Sequence, residues 1–422
     1  MQSMSTWYED LGFAENPFFL DPVPADKGIM ENDFVNRDRE RETIAKFAQE
    51  RRGKLIVFGR TGEGKSSLLN FLEYQATLQK KGVIRVDGTK LTDKEAFVEE
   101  LLHKIELKTE ALSNDAKKKL RDKMEDLAII ELRKTETAKQ AYGVEAKLRA
   151  LIVSIAGKAE VEEGKGEEKT YYITPRMTKL ERIVSELIPA VLEDMPTVII
   201  ADNLEKSSQG QFRTFLTDVS GLVPGNALFI TTGIVTETDS ETMHKCYDIF
   251  NTVLLMDPLD SAEKLKEFIE RRIEGHCKNG HKAPALGQGV IELLLDRANG
   301  NLRETFRYCY CAFQKFGRRV SDATMLKAMQ EVDAPRFAVM SEPELRTLSI
   351  LAEGSDNTVK KVAEGLSETE GKVEIETTRS RLEKLVDQGF ASKKKVRITG
   401  RAYESVYVVP KTVKTILDRW KS

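Results

Sequence analysis

The most specific chemistry in this chain lies between positions 59 and 66, which read Gly-Arg-Thr-Gly-Glu-Gly-Lys-Ser. The pattern is G-x-x-x-x-G-K-S, and each fixed position has a physical task. Glycines let consecutive backbone N–H groups curl around phosphate oxygens, and a helix N-terminus behind them adds partial positive charge. A lysine at position 65 reaches the β- and γ-phosphates, and a serine at 66 offers its hydroxyl to Mg²⁺. The expected lining is therefore Gly59, Thr61, Gly62, Glu63, Gly64, Lys65, Ser66 and Ser67, and the expected ligand is a nucleoside triphosphate with Mg²⁺.

Such a loop needs a strand before it and a helix after it. Leu55-Ile-Val-Phe58 supplies strand-like residues, and Leu68, Leu69, Phe71 and Leu72 recur at helical spacing. A second metal ligand is expected at the C-terminal end of a neighbouring strand. Thr197-Val-Ile-Ile-Ala-Asp202 fits, which makes Asp202 the Walker B carboxylate beside the Walker A loop. Asn203 follows where a second acid often polarises the attacking water, so either Glu205 takes that role or hydrolysis is slow. Ala227-Leu-Phe-Ile-Thr-Thr-Gly233 is another strand ending in hydroxyls, with Thr231 and Thr232 as γ-phosphate sensors or as an ordinary strand end. Asn36 and Arg37 open the helix ahead of the loop, where they line the nucleotide base or simply start a solvated helix. Arg303 stands at another helix start, as a phosphate ligand or a surface arginine.

Composition sets the outer limits. The chain has 422 residues, 40% hydrophobic and 32% charged, with a net charge of −2, so two or three domains fit and no global bias toward nucleic acid exists. DNA binding would need a local patch. No run of 18 apolar residues suggests a membrane span, and the first ten residues lack the basic start and apolar core of a secretory signal. Cys246, Cys277, Cys309 and Cys311 make neither a C-x-x-C pair nor a metal spacing. A reducing cytoplasm is the expected location.

The order of elements gives a leader over 1–33, a core over 34–257, a helical lid over 258–335 and a last unit over 338–422. In the leader, Asn16-Pro-Phe-Phe19 is either an aromatic clasp on the next domain or part of a flexible tail. Strands alternate with helices through the core, so a parallel, doubly wound sheet is expected. An insertion interrupts it at about 103–173. Its first part is helical by spacing, and alternation at Val144, Ala146, Leu148, Ala150 and Ile152, with a Gly164-Lys-Gly166 turn and Thr170-Tyr-Tyr-Ile, predicts a β-hairpin. In the lid, Asp260 is placed to cap the first helix. The last unit opens on a capping box, Ser341-Glu-Pro-Glu, and continues as three helices and a two-stranded ribbon, a winged helix-turn-helix. Residues 377–401 hold eight basic and two acidic residues, a net of +6. Thr378, Arg379 and Arg381 on the third helix suit a major groove, and Lys393, Lys394, Lys395 and Arg397 suit phosphates. The same module also serves protein docking.

Taken together these residues resemble an AAA+ ATPase, an α/β P-loop NTPase. Within that class they resemble the branch of archaeal origin-recognition initiators and the related STAND-type "archaeal ATPase" switches. The resemblance rests on the Phe34–Glu42 box, the Walker A loop, Asp202, Thr231/Thr232 and Gly300-Asn-Leu-Arg303, in that order, followed by a winged helix. It implies ATP rather than GTP, and a switch coupled to assembly as a homo-oligomer or with a partner protein. It implies double-stranded DNA as a further partner, or, for the STAND branch, a signalling or defence output in which the winged helix is an autoinhibitory or docking module. Two departures matter: Asn203 stands where the family usually has a second acid, and no arginine occurs between Arg213 and Arg271, where an arginine finger or the STAND sensor arginine would fall. A trans-acting finger then comes from elsewhere, Lys245 substitutes, or hydrolysis is slow.

Overall fold

The computed structural model describes residues 6–25, 37–90, 93–110, 112–127, 130–133, 147–148, 150–152, 170–173, 182–193, 196–203, 223, 226–234, 240–257, 259–278, 280–354, 357–399 and 402–421. It divides into two compact units, one of Pro22–Asp257 and one of Met1–Asp21 with Pro258–Ser422. The chain therefore passes between them twice, each time at an Asp-Pro step.

The first unit is built on a five-stranded sheet. Its strands are β1 (Gly53–Gly59), β2 (Gly82–Asp87), β5 (Thr197–Asp202), β6 (Leu228–Ile234) and β7 (Thr252–Leu255), in the order β2-β5-β6-β1-β7 and parallel at every pairing. A parallel sheet is covered on both faces, so its strands read as continuous apolar runs. Leu55 to Phe58, Val198 to Ala201 and Leu228 to Ile230 are accordingly all buried. Helices α1 (Asp38–Gln49), α2 (Lys65–Leu78), α3 (Lys94–Glu110) and α4 (Asn114–Asp126) follow in order. The apolar residues of α3, Phe97, Val98, Leu101, Leu102 and Ile105, pack into one cluster with Ile56, Phe58, Ile84 and Val86 of the sheet and with Ile183, Val184, Leu187, Ile188 and Val191. Helix α5 (Ser240–Ile249) leads into β7.

The insertion differs from expectation. Thr170–Ile173 is a strand, β4, but its antiparallel partner is β3 (Ile130–Arg133), with Ile130 opposite Ile173. Residues 147–148 and 150–152 are helical, with Leu148, Leu151 and Ile152 buried in the core cluster. Five alternating positions in a short run satisfy both a strand face and part of a helix face, and burial of 148, 151 and 152 together follows the helical spacing. The Gly164-Lys-Gly166 turn lies outside the described residues.

The second unit is helical, then mixed. Helices α6 (Ala262–His276), α7 (Gln288–Ala298), α8 (Leu302–Phe316) and α9 (Asp322–Ala338) come first. Ser261, not Asp260, caps α6: its side chain accepts the Lys264 N–H. Residues 6–21 pack here, far along the chain from their own position. Phe18 lies 5.0 Å from Phe313 and 6.2 Å from Phe306, ring centre to centre. Arg272 donates to the Pro17 carbonyl at 2.6 Å and stacks on Phe19 and Phe306. The aromatic clasp exists, but its target is this unit and not the domain next in sequence.

The final segment carries α10 (Glu342–Glu353), β8 (Asn357–Thr358), α11 (Val359–Glu370), α12 (Ile375–Asp387), β9 (Ser392–Thr399), β10 (Ala402–Val408) and α13 (Lys411–Lys421). The strands form an antiparallel sheet in the order β8-β10-β9. The expected capping box opens α10, with Ser341 N–H donating to Glu344 at 2.8 Å. A buried charged cluster joins this segment to α7 and α9. Arg297 binds Asp333 through two bonds of 2.8 and 3.0 Å and donates to the Gly389 carbonyl just after α12. Tyr308 also donates to Asp333, and burial holds its hydroxyl proton on well above the usual range. Thr412 at the start of α13 bonds Asp296 at 2.8 Å through both its N–H and its hydroxyl.

Candidate functional site

The loop between β1 and α2 takes its shape from glycines that other residues tolerate poorly. Gly62 and Gly64 have φ of 82° and 96°, the left-handed region that costs an L side chain about 1–2 kcal/mol. At Gly64 a Cβ would meet nothing within 4 Å, so backbone conformation alone selects glycine there. At Gly59 a Cβ would lie 2.9 Å from Glu63 Oε2, so space selects it. Glu63 is buried and accepts the Arg60 N–H at 2.7 Å, which closes the loop internally. Thr61 is exposed.

Lys65, the first residue of α2, is buried and donates to the carbonyls of Gly59 and Arg60 at 3.0 and 3.2 Å. Its ammonium thus lies within the bend of the loop, where a phosphate would offer a stronger, charge-assisted acceptor. Ser66 donates to Asp202 Oδ1 at 3.3 Å. Residues 136 positions apart in sequence are brought together because β5 lies two strands from β1. A hydroxyl and one carboxylate at the helix start are hard oxygen donors suited to Mg²⁺, which keeps several waters and takes its remaining ligands from phosphates. No cluster of three or more His, Cys, Asp or Glu suited to a metal occurs among the described residues. Ser67 turns elsewhere: its hydroxyl accepts the Val23 N–H at 3.1 Å, and Asn70 donates to the Val23 carbonyl.

Arg37 is 2% exposed and does not face outward as a base-lining group would. It pairs with Glu40 at 3.2 Å, donates to the Glu63 carbonyl at 3.0 Å and donates to the Asp257 carbonyl. Glu40 in turn accepts the Asp257 N–H at 2.9 Å. The pair therefore pins the phosphate loop to Asp257, two residues past β7. Asn36 and Glu205 lie outside the described residues. Thr231 and Thr232 are both fully buried, and Thr232 accepts the N–H of Asn203, whose φ of 59° puts it in the left-handed region. The Thr231 hydroxyl has no hydrogen-bond partner among the described residues. Arg303 is exposed in the first turn of α8, with no ion-pair partner among the described residues. A cation in the first turn of a helix is opposed by the helix dipole.

Arg85 had no place in the sequence-level site. Its Nη2 donates to Asp202 Oδ2 at 3.0 Å, and its Nη1 reaches Asn70 and, at 3.4 Å, Glu73. A lone charge inside Val83-Ile-Arg-Val86 was the available signal.

In the last segment the basic residues separate into classes. Thr378 is fully buried and bonds back to the Glu374 carbonyl, so it leaves the groove-facing set. Arg381 is partly buried against Glu370 at 2.9 Å. Arg379 and Lys393 are exposed but paired with Glu376 at 2.6 Å and Glu383 at 2.5 Å. Lys394 is exposed. Lys395 and Arg397 are on β9, opposite Ser405 and Tyr403.

Sheet, loop and carboxylate define an α/β P-loop NTPase core. Residues 48–137 match the family described as "AAA domain". Among solved structures, the chain is similar to the Walker-type ATPase of Pyrococcus abyssi, with 15% identity over 95% of this chain and 99% of that one, at a TM-score of 0.50. It is also similar to the ORC2 protein of Aeropyrum pernix in its ADPNP–ADP complexes, at 13% identity, 97% and 98% coverage and a TM-score of 0.48. The Cdc6p protein of Pyrobaculum aerophilum aligns at 12% identity, 97% and 98% coverage and a TM-score of 0.44. No curated protein matches the chain.

Proposed function

We propose that the protein is an ATP-dependent molecular switch that hydrolyses ATP slowly and couples its nucleotide state to DNA binding. The observation that carries this reading is the preformed phosphate loop with Ser66 and Asp202 3.3 Å apart at its mouth. In the proposed site, the amides of 59–66 and Lys65 hold the phosphates. Ser66 and Asp202 hold Mg²⁺, which would withdraw charge from the β- and γ-phosphates. Glu205 polarises the attacking water, Thr232 on β6 is the candidate γ-phosphate sensor, and Arg303, with no ion-pair partner among the described residues, supplies a second cation to the γ-phosphate. Preference of one domain arrangement for ATP over ADP then drives the switch. The sequence stretch without arginine favours slow turnover.

The C-terminal segment is proposed to be a winged helix, with α12 as recognition helix and β9–β10 as wing. Its exposed Thr377, Arg379, Ser380 and Lys394 are the candidate DNA contacts. A second reading, a STAND-type switch whose winged helix docks a protein, is favoured by one observation: Glu370, Glu376 and Glu383 already neutralise three of the basic side chains. Duplex DNA binding with and without a non-hydrolysable ATP analogue separates the two. DNA affinity that falls steeply with salt, depends on nucleotide and is lost in Lys393/Lys394/Lys395→Glu supports the first. Equal, negligible binding by both proteins at low salt supports docking.

A further inference from the structure

Asp202 already has a cationic partner on the side away from Ser66. Its Oδ1 faces the Ser66 hydroxyl, and its Oδ2 accepts from Arg85 at 3.0 Å. The two members of this pair differ in environment. The Asp202 side chain is 9% exposed, whereas Arg85 is 36% exposed. Glu73, 35% exposed and 3.4 Å from Arg85, offers a second anion on the solvent side. A cleft of about 670 Å³ opens beside Arg85 and Asp202, lined also by Asp87, Glu99, His103 and Lys104, so the Arg85–Asp202 pair borders open space. A guanidinium does not lose its proton near neutral pH, so its charge can be moved but not removed.

Resting on the reading of Ser66 and Asp202 as Mg²⁺ ligands, we propose that Arg85 is a resident counter-cation of the metal subsite. It neutralises Asp202 when no metal is bound, competes with Mg²⁺ for that carboxylate, and so sets the Mg²⁺ concentration at which nucleotide is held tightly. Two like charges sharing one buried carboxylate repel at short range. As Mg²⁺ takes up the Asp202 charge, the balance for Arg85 shifts toward Glu73. That movement draws Nη2 away from Asp202, while Nη1 already bonds Glu73 and Asn70, the residue that also holds the backbone of Val23. Arg85 is thus a positioning residue that acts through Asp202.

The test uses the full chain and a fluorescent ATP analogue, titrated with Mg²⁺ and, separately, in EDTA. Arg85→Met lowers the Mg²⁺ midpoint for tight nucleotide binding on the order of tenfold, because the competing charge is gone. Glu73→Gln raises it, because Arg85 loses its alternative anion; this partly exposed position keeps the test open if Arg85→Met does not fold. Arg85→Lys, which keeps the charge, stays close to wild type. In EDTA all three bind within about threefold of wild type, as expected where the competition is with the metal. An unmoved or raised midpoint in Arg85→Met overturns the proposal, as does a loss in EDTA equal to that in Mg²⁺, which would make Arg85 a phosphate ligand or a purely structural residue. Asp202→Asn separates the two layers. If it keeps the full Mg²⁺ response, the metal reading itself is wrong. If it loses that response while Arg85→Met and Glu73→Gln leave the midpoint unchanged, only the counter-cation is wrong.

Discussion

Replacing Arg37 by methionine isolates the role the structure gives it. Both side chains of the Arg37–Glu40 pair are 2% exposed. Removing the arginine leaves Glu40 buried without its counter-charge and releases the Glu63 carbonyl of the phosphate loop. Breaking a buried pair on one side costs about 3–5 kcal/mol. For a unit of this size each kcal/mol lowers the melting midpoint by about 2–4 °C, so a fall of roughly 6–20 °C is expected for the unit of Pro22–Asp257. ATP affinity should fall as well, since the loop loses its tether to Asp257. The double variant Arg37→Met/Glu40→Met removes both charges and should recover most of the stability while leaving the affinity low. Scanning calorimetry reads the first quantity and nucleotide titration the second. A melting midpoint within a degree or two of wild type would show that the pair is not buried as described. Wild-type stability with weakened binding of the adenine base alone would return Arg37 to a base-contacting role.

Two further outcomes follow from local physics. Burial pushes the Glu304 carboxyl up, but the hydrogen bond and charge of Arg336, with Arg307 beside it, outweigh this and hold it below its ordinary value. A carboxyl whose folded pKa is depressed contributes stability that is present above its unfolded value and lost as pH falls through the folded one. The second unit should therefore lose stability below about pH 4.5, and Glu304→Gln should flatten that slope in acid-unfolding curves. Gly64→Ala introduces no clash, so its cost should be the left-handed strain alone, about 1–2 kcal/mol, measurable by denaturant titration together with weaker ATP binding.

The parts legible in the sequence were those that local chemistry dictates. Gly62 and Gly64 are needed for their φ, and the Leu302–Phe316 helix follows an Asn-Gly-Asn turn in which Asn301 caps it through the Glu304 N–H. The strand Thr197–Asp202 is apolar throughout because both faces are covered. What was not legible depended on distant partners. Whether Arg37 faces solvent or Glu40, the loop and Asp257 is settled by packing between segments some 220 residues apart. The clasp of residues 16–19 could be read as aromatic, but its destination on Phe306 and Phe313 could not. Thr378 looked like a groove contact because it is polar, yet a threonine can satisfy its hydroxyl on the carbonyl four residues back and sit in a core. Residues 147–152 failed for a different reason, since a short alternating run is compatible with either period.

The central claim is that the loop of 59–66 holds a triphosphate through Lys65. Calorimetric titration of ATP into wild type and Lys65→Ala, in Mg²⁺, addresses it most directly. Loss of one charge-assisted contact of about 1.5–3 kcal/mol predicts that affinity falls at least tenfold while the melting curve of the nucleotide-free protein stays near wild type. Equal affinities in the two proteins would contradict the account.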